Sequence, residues 1–227
     1  MKTSILTILA YFIMCGVSYA SDVYITQSGA SLTANINQDG QTNKFGVSGT
    51  VVTLTGDSQV LDIDQIGNTN TIATSLIGAI QEFTLRQAGN SNTSTVSVGS
   101  NSASGDNSII QTLTGSSNTT TVNVGNSAAT DDADIDLTAT GSSNTITINE
   151  NSTASMVGSD KKVTSITAIG SSNTITSTHT GAADQDTTLH HTGASSTFAI
   201  TQGGAYEGTT SITTVGSGHN VTVTMDD

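Results

Sequence analysis

The residue types that most often do chemistry are scarce in this chain, and their spacing does not suit catalysis. The four histidines are His179, His190, His191 and His219, and the single cysteine is Cys15. The sequence contains no serine-hydrolase, zinc-protease or phosphate-loop motif. His190 and His191 are neighbours that would face opposite sides of a strand, so they do not form a metal-binding pair. We therefore expect no enzyme activity, no bound metal and no cofactor.

Acidic residues are the other group that could bind ions or take part in catalysis, and they outnumber the basic residues by 18 to five. The formal net charge of −13 argues against a nucleic-acid partner, since no basic stripe is present to contact phosphates. Asp131, Asp132, Asp134 and Asp136 supply oxygen atoms of the kind that calcium prefers. They lack the spacing of calcium-binding nonapeptide repeats, so a solvated loop is the favoured interpretation, with calcium as the alternative.

Glycine, glutamine and asparagine recur at fixed offsets and organise the whole sequence. A representative copy is Leu61-x-Ile63-x-Gln65-x-Gly67-x-x-Asn70-x-Ile72. The phrase returns every twenty-odd residues, which indicates one supersecondary unit stacked on copies of itself. The turn glycines of these copies are Gly29, Gly40, Gly67, Gly89, Gly115, Gly141 and Gly170.

Alternating apolar residues on both sides of each glycine predict a strand–turn–strand unit. We predict an all-β fold, a β-solenoid of about eight or nine strand–turn–strand rungs. Strand length cannot vary within such a stack, so extra residues must lie in turns. The Gly-x-x-Asn turn keeps a constant length, which places the insertions at the opposite edge, at 99–107, 125–134 and 151–161.

The period of two also assigns the faces of each strand, and it turns glutamine and asparagine inward with the aliphatic residues. A buried amide is costly unless it is hydrogen-bonded. Identical amides in successive rungs meet this need, because each bonds its copy at a spacing of ~4.8 Å. The predicted ladder, which we expect to guide assembly, consists of Gln27, Gln38, Asn43, Gln65, Asn70, Gln87 and Asn92.

Residues 1–20 are predicted to be a signal peptide. Lys2 precedes an apolar stretch from Ile5 to Val17, and Ser18-Tyr19-Ala20 places small residues, Ser18 and Ala20, at the two positions that a signal peptidase reads. Cleavage there would remove Cys15, so the mature protein would contain no disulfide. Residues 21–227 form the repeat region, clearest over 21–95 and degenerate over 96–227. We expect no transmembrane segment after the signal is removed, since no second long apolar run follows.

The first repeat resembles a known family. Ser21-x5-Gln27-x-Gly29-x2-Leu32-x-Ala34-x3-Gln38 is similar to the curlin repeat, with Leu32 in place of the family's asparagine. The turn half of that motif returns at Gln65-x-Gly67-x2-Asn70 and at Gln87-x-Gly89-x2-Asn92. This resemblance implies a secreted functional amyloid of the curli type, whose subunits polymerise end to end into biofilm fibres. It also implies a nucleator subunit and an outer-membrane export pore as partners.

The same function is expected from the repeats themselves. A stack of strands has two open edges that template further chains unless they are blocked. Proline, a common blocker, is absent from this chain. We therefore expect a secreted structural subunit that self-assembles into extracellular or cell-surface fibres. Whether it would be the major subunit, a nucleator or a cap stays open.

A second interpretation depends on threonine. Pairs of the form Thr-x-Thr follow the turn asparagine in four successive repeats and are expected to face outward. Stacked, they would form a regular lattice of hydroxyl and methyl groups, as in ice-binding solenoids. The alternative function is therefore a monomeric ice-binding or adhesive β-solenoid, although exposed strands also favour threonine for its β-propensity. The residues concerned are Thr93, Thr95, Thr119, Thr121, Thr145, Thr147, Thr174 and Thr176.

Overall fold

A computed structural model describes residues 21–40, 42–46, 51–78, 80–99, 106–125, 133–151, 161–181, 184–203 and 208–226. The predicted signal peptide lies outside these residues, as do Asp131 and Asp132 and the interiors of the predicted insertions. Throughout the described ranges the regular structure is β-strand. Within them, no helix is long and apolar enough to cross a membrane.

Within the described ranges the strands form two parallel sheets, counted here from those ranges alone. Sheet A has eleven strands, and they are β1 (Ser21–Val23), β2 (Gln27–Ser28), β4 (Thr42–Phe45), β5 (Val52–Thr55), β7 (Thr69–Ile77), β9 (Ser91–Val98), β11 (Ser117–Val124), β13 (Ser143–Asn151), β15 (Ser172–Thr180), β17 (Thr197–Gly203) and β19 (Asn220–Asp226). Sheet B has eight strands, and they are β3 (Ser31–Asp39), β6 (Ser58–Ile66), β8 (Ile80–Ala88), β10 (Asn107–Thr114), β12 (Ala133–Thr140), β14 (Lys161–Ile169), β16 (Asp184–Ala194) and β18 (Thr209–Ser217).

The chain passes alternately through the two sheets, which confirms the predicted β-solenoid. Each strand of sheet B pairs in parallel with the next strand of sheet B along the chain, and sheet A behaves in the same way. We call one strand of sheet B and the sheet A strand that follows it a rung. Residues paired in register through successive rungs form a column, such as Asn92, Asn118, Asn144 and Asn173. Every column runs along the solenoid axis.

The two edges of the solenoid differ as predicted. Every passage from sheet B to sheet A takes two residues, for example Gly67 and Asn68 between β6 and β7. We call this side the tight edge. Passages from sheet A to sheet B are longer in the later rungs, such as 99–106 between β9 and β10 and 152–160 between β13 and β14. We call this side the insertion edge.

Burial alternates along each strand, and the aliphatic columns of the two sheets meet in one continuous core. In β6, Leu61, Ile63 and Gln65 are buried, whereas Asp62 is exposed. The largest buried side chains include Phe45, Phe83 and Phe198. The period of two thus fixes which residues line the core, because every rung repeats the same parity in register.

The first layers depart from the regular pattern. β4 and β5 together occupy the place of one strand, because both pair with β7, and residues 46–51 lie between them. β1 and β2 pair with β4 and β5 on the other side, and they add a half-rung before β3. Sheet A therefore has one layer more than sheet B among the described strands.

Candidate assembly site

The turn glycines of the tight edge lie directly over one another and leave no space for a side chain. A Cβ added to Gly67 would overlap the carbonyl oxygen of Gly40, and one on Gly115 would overlap that of Gly89. The same overlap is found at Gly89, Gly141 and Gly170. Glycine is required at these positions because the backbone of the preceding rung occupies the site of the Cβ.

The asparagines of the tight edge form a continuous ladder. Asn70 Nδ2 donates to Asn92 Oδ1 at 2.9 Å, and the bonds from Asn92 to Asn118, from Asn118 to Asn144 and from Asn144 to Asn173 are each 2.7 Å long. The same amide nitrogens donate to the carbonyl that precedes the next turn glycine, as from Asn92 to Thr114 O at 3.0 Å. The Gly-x-x-Asn spacing therefore serves two purposes, since each asparagine also holds the turn of the following rung.

Asn43 is the first asparagine of this column, but its side chain bonds differently. Asn43 Nδ2 donates to the carbonyl oxygens of Gln38 and Ile66, both at 2.9 Å. Its Oδ1 is buried and has no hydrogen-bond partner among the described residues. Asn70 Oδ1 is likewise buried without a partner in the described residues, whereas from Asn92 onward each Oδ1 accepts from the rung before. The hydrogen-bonded ladder therefore starts at Asn70, and Asn43 lies in register beneath it.

Glutamines form a shorter ladder beside the asparagines. Gln65 Nε2 donates to Gln38 Oε1 at 2.6 Å, and Gln87 Nε2 donates to Gln65 Oε1 at 2.9 Å. The next residue in this column is Leu113, so the ladder stops there. These three glutamines and Asn43, Asn70 and Asn92 are thus brought together as the sequence predicted, whereas their part in assembly stays a prediction.

Gln27 and Gly29 were grouped with these residues from the sequence, but the structure places them at the insertion edge. Gln27 lies in sheet A and pairs with Leu54, so it has no glutamine above it. Gly29 lies beneath Gly56, the glycine of the next turn on that edge. The reason is that the first curlin-like repeat spans one strand of each sheet, so its two glutamine–glycine pairs fall on opposite edges.

The insertion edge carries a second amide pair that the sequence analysis missed. Gln59 and Gln81 are fully buried and adjacent in register. Each stands three residues after a turn glycine, Gly56 or Gly78, which is the spacing of Gly-x-x-Asn with glutamine in its last place. This Gly-x-x-Gln spacing is the sequence signal that could have predicted the pair. Their amide atoms have no hydrogen-bond partner within the described part of the chain.

A buried ionic network occupies the insertion edge further along the solenoid. The Glu150 carboxylate lies 2.9 Å from His179 Nδ1 and accepts from Thr164 Oγ1 at 2.7 Å, and Ser177 Oγ lies 2.6 Å from His179 Nε2. This order of carboxylate, imidazole and hydroxyl matches that of hydrolase triads. All four side chains are essentially inaccessible, so no substrate reaches Ser177 in this conformation. The sequence signal that was missed is the alternation of faces along β13. Glu150 lies two residues after Ile148 and four after Ile146, so it faces inward as they do.

Lys162 lies in the same region and is also buried. Its Nζ has no hydrogen-bond partner among the residues that the structure describes. Burial lowers the pKa of Lys162, and the Glu150 carboxylate opposes this only in part. Burial alone would raise the pKa of Glu150, but His179, Thr164 and Lys162 together hold it below its usual range.

His191 takes the glutamine position in the column of Gln38. Its Nε2 lies 2.6 Å from Asn173 Nδ2 and 2.9 Å from Ser196 Oγ. Burial lowers the pKa of His191, and the neighbouring His219 lowers it further. The neutral ring therefore continues the hydrogen bonding of the amide ladders after Asn173.

The predicted threonine face is present on the outside of sheet A. Thr93, Thr119, Thr145 and Thr174 form one column, and Thr95, Thr121, Thr147 and Thr176 form a second. Thr71 and Thr197 extend the first column, whereas Ala73 and Ala199 end the second. Every outward residue of sheet A from β7 to β17 is uncharged.

The outside of sheet B differs, since it carries the acids of the strands. Asp62, Glu82, Asp134 and Asp136 are exposed there, and Arg86 pairs with Asp64 at 2.9 Å. This exposed ion pair adds little stability. Within the described ranges, no group of three or more potential ligands is arranged to hold a metal ion. The solenoid thus has one neutral hydroxyl face and one acidic face.

The solenoid is open at its C-terminal end. In the described chain β18 and β19 are each paired on one side only. Val221, Val223 and Met225 of β19 continue the inward columns, yet they are 45%, 42% and 52% exposed. An unpaired strand edge beside an exposed apolar row is the feature of this molecule best suited to docking another strand.

Comparison with known protein families, with curated proteins and with solved structures gives no match to this chain.

Proposed function

We propose that this protein is a secreted structural subunit that assembles end to end into extracellular, amyloid-like fibres of the curli type. The observation that carries the proposal is the open end at β18 and β19. There the inward columns end on exposed apolar residues and on unpaired backbone groups. A further rung added to this end would cover the apolar row and satisfy the edge.

The ladders support the same proposal, because an added copy can form their side-chain hydrogen bonds only when it stacks in register. Each new rung on an amide column gains one side-chain bond, and a register slip of one residue would turn polar and apolar residues to the wrong face. The acids lie mainly on the outside of sheet B and leave the stacking ends largely uncharged. The resemblance to curlin repeats adds a nucleator subunit and an export pore to the proposed partners.

The test is whether the mature chain forms fibres. Purified protein from Ser21 onward is incubated at neutral pH, imaged by electron microscopy and examined by fibre diffraction. The proposal expects unbranched fibres with a ~4.8 Å spacing along the axis and a ~10 Å spacing between sheets. Protein that stays monomeric at high concentration over days contradicts it.

The threonine columns support a second candidate, a monomeric ice-binding or adhesive solenoid. Within each column the hydroxyl groups repeat at ~4.8 Å, and the two columns lie about 6.6 Å apart along each strand. This candidate expects thermal hysteresis from monomeric protein, and it expects Thr121→Lys in the middle of the face to abolish the effect. Fibres without hysteresis would favour the first proposal.

A further inference from the structure

The unequal number of layers in the two sheets affects how copies can stack. The half-rung of β1 and β2 gives sheet A one layer more than sheet B, while β18 and β19 complete the last rung. Copies stacked with the half-rung in place would leave sheet B one strand short at each junction. Without the half-rung, β19 meets β4 and β5, β18 meets β3, and both sheets continue without a gap.

We propose that residues 21–28 are a removable plug, and that β19 of one copy displaces them to pair with β4 and β5 of the next copy. The inference rests on the proposed end-to-end assembly and specifies how two copies join. Chemically it is the exchange of one β-strand for another on the same sheet edge. The partner is a second copy of this chain.

The plug is held by few contacts. β1 has three residues in register with β4, and β2 has two in register with β5, whereas β19 has seven in register with β17. β7 already pairs with both β4 and β5 from the opposite side, so one continuous strand can span the interruption between them. A longer strand can therefore replace two short ones at this edge.

The apolar columns favour the exchange. Gln27 now covers Leu54, and its buried Oε1 has no hydrogen-bond partner within the described residues. The column of Leu54 ends at Met225, which is 52% exposed. After exchange Met225 would cover Leu54, Val221 would cover Phe45 and Val223 would cover Val52. Val221, Val223 and Met225 would become buried in place of the partly buried Val23 and Ile25, and the unsatisfied amide oxygen of Gln27 would return to solvent.

The asparagine column is also completed by this junction. Asn43 is its first asparagine, next to Ser21 of β1, and has an unpartnered Oδ1, while His219 is its last residue, with both ring nitrogens lacking partners within the described ranges. In Asn92, Asn118 and Asn144 the Oδ1 accepts a hydrogen bond from the rung before it, and Asn70 Oδ1, like that of Asn43, has no partner in the described residues. Stacking β19 on β4 would set the free donor of His219 beside the free acceptor of Asn43.

Disulfide trapping in fibres tests the junction. Thr224 faces outward in β19, and exchange would place it beside Thr53 with Cα atoms ~4.8 Å apart, within the range of a disulfide. If the plug stays, Thr224 would lie beside Thr26 and two layers, or ~9.6 Å, from Thr53, which is too far. Chains carrying T224C are mixed with chains carrying T53C or T26C, all with Cys15→Ser where that residue is retained, and are oxidised after assembly.

The inference expects mixed dimers of T224C with T53C and none with T26C. Cross-linking to T26C, or to neither partner, in well-formed fibres would overturn the plug while leaving the proposed function intact. Absence of fibres from the unmodified chain would overturn both.

Growth kinetics give a second readout. Gln27→Leu removes the unsatisfied amide and should hold the plug more firmly, so we expect elongation to slow by about tenfold. Thr26→Ser, on the outward side of the same segment, is the matched control and should leave the rate unchanged. Equal or faster elongation with Gln27→Leu would contradict the plug.

Discussion

Gln87 lies in register with Leu113, and this single pairing ends the glutamine ladder that begins at Gln38. Gln87 Oε1 is consequently buried and has no partner in the described part of the chain. The solenoid therefore divides into an N-terminal part held by two amide ladders and a C-terminal part held by one. Ala139 and Ala168 fill the glutamine column beyond Leu113.

The first prediction concerns Gln65, which both accepts from Gln87 and donates to Gln38. Gln65→Ala removes two side-chain bonds and should cost about 2–4 kcal/mol of folding free energy, whereas Gln87→Ala removes one ladder bond and should cost less. Thr145→Ala on the outer face is the control and should change stability by under about 0.5 kcal/mol. Urea denaturation of the monomer measures all three, and equal midpoints would contradict the ladder argument.

The second prediction tests why the turn glycines are needed. Gly115→Ala places a methyl group on the carbonyl oxygen of Gly89, so the rungs must separate locally. We expect a loss of about 3 kcal/mol or more. Gly203→Ala is the matched control, because the nearest atom to its Cβ would be 4.0 Å away, in Asp226. Limited proteolysis and chemical denaturation should separate the two variants, and similar stability would refute the steric explanation.

The fold was predictable because one signal repeats many times. Alternation of residues such as Leu61 and Ile63 around Gly67 gives strands, faces and stacking together, and each copy supports the others. The tight edge could be predicted equally well, since the Gly-x-x-Asn turn has the same length in every repeat that carries it. Gln27 and Gly29 were harder to place because the same glutamine–glycine phrase serves both edges. Only the pairing of β2 with β5 assigns them to the insertion edge.

The buried ionic network was not predicted because its members are far apart in sequence. Glu150 and His179 belong to different rungs, and Lys162 follows a long connection between the sheets. Each of these residues, considered alone, is of a type that usually lies on the protein surface. That these inward-facing residues lie next to one another is evident only when the pairing register of the strands is known, as for Glu150 and His179 in β13 and β15.

The third prediction concerns Lys162, whose buried amine has no hydrogen bond within the described ranges. Lys162→Met keeps the length of the apolar stem and removes a charge that burial disfavours. We expect this variant to be more stable by about 1–2 kcal/mol at pH 7. Glu150→Gln should instead destabilise, because it weakens the bonds to His179 and Thr164. Thermal unfolding of the two variants checks the contrast, and destabilisation by Lys162→Met would show that the amine is paired.

The last prediction is a loss of stability in mild acid that originates at His191. Its Nε2 lies at hydrogen-bond distance from the Asn173 amide nitrogen, which has only hydrogen atoms to offer, so a proton on Nε2 would oppose that bond. Burial lowers the pKa of His191 below its ordinary value of 6.5, so the folded chain binds fewer protons than the unfolded chain near that pH. Stability should thus fall as pH drops below about 6.5 and should level off once the pH lies below the folded pKa.

His191→Gln restores the amide of the earlier rungs and should flatten this dependence, while His190→Gln, on the exposed side of the same strand, should leave it unchanged. Denaturation midpoints measured between pH 5 and 8 test this expectation, and an unaltered slope in His191→Gln would assign the acid sensitivity to other groups.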